Sequence, residues 1–246
     1  MKKTKNQKAE KNVTYKSTYK GLAINTGKFK NLGVYTNMLK PMLNQIEALL
    51  THHSRIQLLR FDLHLPVTEL MTASAGNLVA SNFFKQVKQD LASANWNRQK
   101  YVIQGWAREV GESDNAHYHC YIGVSSTVKL GTFYNDTPTM LWKLFYNRWA
   151  ELSGGSVRPS GYHTVNRNNH EQLSTAFYHL SYLCKVRSKD FGSGEPHKRY
   201  SNSRLKPKKV ADQHPAFDID HSDKAVGITV KARQNRQQNA GYFNDR

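Results

Sequence analysis

YVIQGWAREVGESDNAHYHCYIGV, running from Tyr101 to Val124, holds two strand-like halves around a turn. Tyr101 to Glu109 is rich in aromatic and β-branched residues. Gly111, Ser113, Asp114 and Asn115 supply turn chemistry, and His117 to Val124 resumes the strand composition. The pattern predicts a β-hairpin with a longer-than-minimal loop. Side chains alternate across a strand, so His117 and His119 share one face, with Tyr118 and Cys120 on the other. Two imidazoles two positions apart sit about 7 Å apart at their Cα atoms and can grip one ion. If Glu109 pairs across from His117, its carboxylate joins them. Two imidazoles and one carboxylate with open positions make a divalent-metal site. The competing reading is two polar residues on a wet strand face, and a second motif downstream separates the two.

The chain has 246 residues and a formal net charge of +18. So many surplus cations point to a polyanionic partner, most often nucleic acid. No apolar run approaches the ~18 residues of a spanning helix, and no apolar segment follows the basic N-terminus, so neither membrane insertion nor a secretory signal is expected. The two cysteines, Cys120 and Cys184, form no CxxC pair. They suit a reducing cytosol and argue against a cysteine zinc site.

Upstream, Leu39, Met42, Leu43, Ile46, Leu49 and Leu50 recur at helical spacing and predict a helix over Leu39–His52, with Pro41 in its first turn. Ile56 to Leu65 reads as a strand ended by Pro66. Leu59, Phe61, Leu63 and Leu65 fall on one face, and Arg60, Asp62 and His64 on the other. Asn77–Ala94 is a second amphipathic helix, with Leu78 on its apolar stripe. Thr137–Leu152 is a third, with Pro138 in its first turn and Met140 packing inward. Gly161 to Val165 is a short strand. The first 32 residues read as a basic arm, 33–187 as the folded domain, and 188–246 as a basic flexible tail in which Val226 to Val230 could pair locally.

The second informative stretch is HEQLSTAFYHLSYLCKVR, His170 to Arg187. Its apolar stripe predicts a helix over the whole stretch. Tyr178 and Tyr182 then project one turn apart, with Lys185 on a neighbouring surface. A deprotonated phenol is a nucleophile able to form a covalent intermediate. A metal beside it can act as Lewis acid on a phosphodiester oxygen, and a lysine can hold the phosphate. Together these parts describe transfer of a DNA strand onto tyrosine.

His117-Tyr118-His119 resembles the His-hydrophobic-His motif of the rolling-circle initiators called HUH endonucleases, and Tyr182-Leu183-Cys184-Lys185 resembles their YxxK motif. The order RFDLHLP, WARE, HYHCYIGV, YLCK is similar to the replication-initiation proteins of filamentous phages (the inovirus gene II type) and to the related YagK/YfjJ C-terminal domain, over about Leu32 to Arg204. The resemblance implies an α+β fold of the HUH kind, related to the RNA-recognition topology, with a central, mainly antiparallel sheet flanked by helices. It implies Mg²⁺ or Mn²⁺ on His117 and His119, with a third ligand from Glu109, Glu112 or Asp62. It implies Tyr182 as nucleophile, Tyr178 as the other tyrosine if two are used, and Lys185 at the phosphate. Arg60, Asp62, Arg108 and Arg187 are expected to contact DNA. The implied activity is nicking at a single-stranded or cruciform origin to leave a 5′-phosphotyrosine and a 3′-hydroxyl, with host helicase or polymerase as further partners and the cytoplasm as location. Two alternatives stay open: a non-catalytic DNA-binding regulator or accessory protein of a mobile element, and a transposase or relaxase using the same parts.

Overall fold

The structure, a computed structural model, describes residues 12–66, 71–110, 116–186 and 198–209. Its principal elements are α1 (Thr36–His52), β1 (Arg55–His64), α2 (Ala73–Leu91), β2 (Ile103–Val110), β3 (Ala116–Ser125), α3 (Met140–Ser153), β4 (Ser156–Asn166), α4 (His170–Leu180) and β5 (Tyr200–Asn202). The five strands form one sheet in the order β4-β1-β3-β2-β5, antiparallel at every pairing. From β1 to β4 the chain runs β-α-β-β-α-β, the ferredoxin-like arrangement shared by RNA-recognition folds. The fold class is α+β, as the resemblance implies.

Alternation along the strands gives the sheet two different faces. On one, Leu59, Phe61, Leu63, Trp106, Tyr118 and Cys120 pack against Phe83, Phe84, Phe145 and Trp149 of α2 and α3. The rings of Phe61 and Phe145 are 4.9 Å apart at their centroids. Trp149 Nε1 donates to the His64 carbonyl at 2.9 Å, tying α3 to the end of β1. The other face is divided along the strands. Leu58, Ile103, Tyr121 and Val165 are buried beneath α1 and α4. Beyond that cover, the same face carries Arg60, Asp62, His64, Glu109, His117 and His119 by register.

Several elements depart from the periodicity of the sequence. α1 begins at Thr36, so Pro41 lies inside the helix rather than in its first turn; it withholds the N–H that would bond the Asn37 carbonyl. α2 begins at Ala73, where the Thr72 side chain accepts from Ala75 N, and Leu78 is exposed rather than packed. Thr137–Pro138 pairs with Phe133–Tyr134, so α3 starts only at Met140, whose side chain is exposed. Gly154, at φ +66°, ends α3. β4 extends over eleven residues, with its register shifting between Pro159 and Gly161. It is an edge strand, which is where proline and a bulge are tolerated.

Three departures matter for function. The predicted helix over His170 to Arg187 stops at Leu180, and Ser181–Cys184 turns as a 3₁₀ helix. Residues 12–32, expected as part of an arm, fold back on the body: Leu22 and Ile24 are buried in the core shared with α1 and α4. Residues 198–209, expected in a flexible tail, add β5 to the sheet edge and then cross α1, where Gln45 Nε2 donates to the Leu205 carbonyl at 3.2 Å. Both segments carry enough apolar and hydrogen-bonding groups to be held, although their composition is polar. The pairing expected for Val226 to Val230 lies outside the described residues.

Candidate active site

The β2–β3 hairpin sets the register that the site needs. Glu109 stands opposite His117 on one side, and His64 opposite His117 on the other. Asp62 and Ala107 flank His119 in the same way. All the chemically active members point to one face because β1, β2 and β3 share one pleat.

Glu109 Oε2 lies 2.8 Å from His119 Nε2 and 3.6 Å from His117 Nε2, and the two Nε2 atoms are 3.3 Å apart. Donors bound about 2.1 Å from one shared ion and adjacent in its shell stand roughly 3 Å apart. The three atoms therefore fit a single divalent cation, and they form a possible metal-binding group. His119 and Glu109 are almost wholly buried, at 4% and 7% exposure. Ionisable groups at that depth need a charged partner.

Asp62 completes the arrangement from the other side. Its Oδ1 is 2.6 Å from His119 Nδ1. An Nδ1–H donated to that carboxylate leaves Nε2 as the metal-facing nitrogen, the usual way an outer carboxylate orients a ligating histidine. Of the three candidates for third ligand, Glu109 alone joins the two Nε2 atoms; Asp62 takes Nδ1, and Glu112 lies outside the described residues. Burial works against charge on His119, but the Asp62 and Glu109 carboxylates outweigh it and raise its pKa. Burial likewise opposes the Asp62 anion, and the His119 hydrogen bond overcomes it and lowers the pKa.

Tyr182 reaches the same place from the 3₁₀ turn after α4. Its ring meets the His119 ring edge-on, with centroids 5.1 Å apart. Arg60 Cζ lies 4.1 Å from the tyrosine ring centroid and Lys185 Nζ 3.4 Å from it. Two cations thus lie against the phenol ring, a cation–π arrangement at both contacts. Burial lowers the Arg60 pKa, with Asp62, Tyr182 and Glu109 opposing. The turn is clamped by distant chain. Asn25 N donates to Ser181 Oγ at 2.8 Å, Val186 N donates to the Gly33 carbonyl at 2.9 Å, and Val34 bridges to Lys185. Ser181 itself is fully buried and donates to the Tyr178 carbonyl.

The structure thus brings together His117, His119, Glu109, Asp62, Arg60, Tyr182 and Lys185. Tyr178 sits on α4 itself, so the two tyrosines do not share one continuous helix as the spacing implies. Arg108 falls on the opposite sheet face, in register with Tyr118. Arg187 lies outside the described residues. His64, the third member of the Arg60-Asp62-His64 face of β1, joins the site: its ring stacks on His117 at 5.3 Å, and its pKa is lowered by burial and then by Arg158 and His117. The alternation of β1 already placed it on this face; only the register with β3 put it against a candidate ligand. His163 of β4 pairs with His179 of α4 at 3.0 Å.

A family model, the YagK/YfjJ C-terminal domain, matches residues 14–197. No curated protein and no solved structure was found to match the chain.

Proposed function

The chain belongs to the YagK/YfjJ C-terminal domain family, and from that premise we propose that it is a metal-dependent DNA nicking-joining enzyme of the HUH type, starting rolling-circle replication of a phage or other mobile element. The observation that carries the reading is the Tyr182 ring set edge-on against His119, beside a triad suited to a divalent ion. The charge of +18 suits a DNA partner.

His117, His119 and Glu109 would hold the ion, with Mg²⁺ or Mn²⁺ as the expected choice. Bound there, it would supply Lewis-acid polarisation of a phosphodiester oxygen. Asp62 keeps His119 in the tautomer that presents Nε2. Tyr182 gives up its phenolic proton to solvent or a neighbouring base and attacks phosphorus. The bond to the 3′ oxygen breaks, and that oxygen takes up a proton. The products are a 5′-phosphotyrosine and a 3′-hydroxyl, so the reverse attack by a hydroxyl rejoins the strand without a nucleotide cofactor. Lys185 and Arg60 supply positive charge where the phosphoryl group and the phenolate would meet.

The test is a denaturing gel of protein with labelled single-stranded origin DNA and Mn²⁺. A covalent adduct is expected, lost in Tyr182→Phe and in His119→Ala. One observation favours a second reading, a DNA-binding protein without cleavage: Asp62 and Glu109 give each ring nitrogen of His119 a carboxylate partner. That reading predicts salt-dependent binding and no adduct.

A further inference from the structure

The loop between Asn25 and Gly33 has both feet on the Tyr182 turn. Asn25 N donates to Ser181 Oγ, next to the tyrosine, and the Gly33 carbonyl accepts from Val186 N. Between these anchors the loop is closed on itself. Gly27 N donates to Asn25 Oδ1 at 3.0 Å, Lys30 N to the Gly27 carbonyl at 3.2 Å, and Leu32 N to the Thr26 carbonyl at 3.0 Å. Gly27 adopts φ +81°, and a Cβ there would stand 2.7 Å from Leu32 Cδ1, so the turn is specific to glycine.

The tip of this built loop is Lys28-Phe29-Lys30. Phe29 is 77% exposed, the highest among the exposed large hydrophobic residues of the described chain, and Lys28 Nζ lies 5.7 Å from its ring centroid. An apolar ring held out in water gains nothing for folding. Four residues of chain place it no more than roughly 14 Å from either anchor. An exposed aromatic ring flanked in sequence by two lysines is the combination that binds single-stranded nucleic acid, the ring stacking on a base and the cations meeting phosphates.

We infer that Phe29 is a base-stacking platform for single-stranded DNA, gripping a nucleotide a few positions from the phosphate that meets Tyr182. The inference rests on the nicking reading for its substrate, but its own observable is non-covalent. Binding of the full chain to a single-stranded oligonucleotide is measured in EDTA, alongside an abasic oligonucleotide of equal length and a duplex. Phe29→Ala should weaken single-strand binding about five- to hundredfold and leave abasic and duplex binding unchanged. Phe29→Trp should restore affinity, with fluorescence quenched by the base-bearing strand beyond that of the parent chain, and not by the abasic one. Unchanged binding by Phe29→Ala, or an equal loss on the abasic strand, would overturn the assignment. The nicking reading fails separately: quenching with no covalent adduct removes the nickase and keeps the platform, whereas an adduct without quenching does the reverse.

Discussion

Asp62 Oδ1 and His119 Nδ1 are 2.6 Å apart, on the side of the imidazole away from Glu109. The pair joins β1 to β3 across one register position. It sets which nitrogen of the buried ring can meet a cation.

Asp62→Asn keeps the size of the side chain but removes the charge. An amide can still accept from Nδ1–H, but it no longer raises the basicity of the ring. Mn²⁺ affinity should fall about 10- to 100-fold, measured by calorimetric titration. A variant that binds Mn²⁺ like the parent would show that Asp62 does not orient a ligand.

The pH dependence follows from His119. Its folded pKa is raised, because the Asp62 and Glu109 carboxylates overcome burial. In the metal-free protein the resulting stability is full below the unfolded value, about 6.5, and is lost as pH rises through the higher folded value. Asp62, with a lowered folded pKa, contributes stability above about 3.9 that is lost as pH falls through its folded value. An ion needs Nε2 bare, so Mn²⁺ affinity should increase with pH across the His119 window. Melting curves in EDTA and Mn²⁺ titrations at a series of pH values test both signs. Affinity that is flat with pH would contradict the placement of Nε2 at the ion.

Lys185→Ala removes one of the two cations on Tyr182 without touching the triad. Adduct formation should slow by roughly a hundredfold or more, with Mn²⁺ affinity unchanged. Single-turnover gels and titration separate the two quantities. A parallel loss of Mn²⁺ binding would make the lysine structural.

Gly105→Ala tests the strap formed by residues 198–209. A Cβ at Gly105 would press on the Tyr121 ring and stand 2.5 Å from Asn202 Oδ1, the atom that accepts the Tyr121 hydroxyl. The expected cost is about 1–3 kcal/mol, with β5 released from β2. Limited proteolysis should then cut within 198–209 faster than in the parent. Equal cutting would show that β5 is not held by this contact.

Much of the candidate site was legible before any coordinates. HxH on a strand, Glu109 eight residues earlier across a turn, and the Arg60-Asp62-His64 alternation each follow from a period of two. A hairpin with a loop of this length puts Glu109 opposite His117 once its register is set, and the observed pairing is that one. The core helices were readable for the same reason, since a helix buries one stripe. Their ends were less so. Pro41 and Pro138 each suggest a first turn, yet one sits inside α1 and the other in a short strand pair before α3.

Local pattern therefore determined the types of the candidate ligands and their common face, because backbone geometry ties these to spacing along the chain. Tertiary structure alone decided that Tyr182 meets His119. Helical spacing carries the helix on to Arg187, whereas the chain leaves it at Leu180 and turns the phenol toward the sheet. What holds that turn is chain about 150 residues away: Asn25 on Ser181, and Gly33 on Val186. No periodicity encodes such contacts. They exist because buried backbone and hydroxyl groups must find partners wherever the fold brings them.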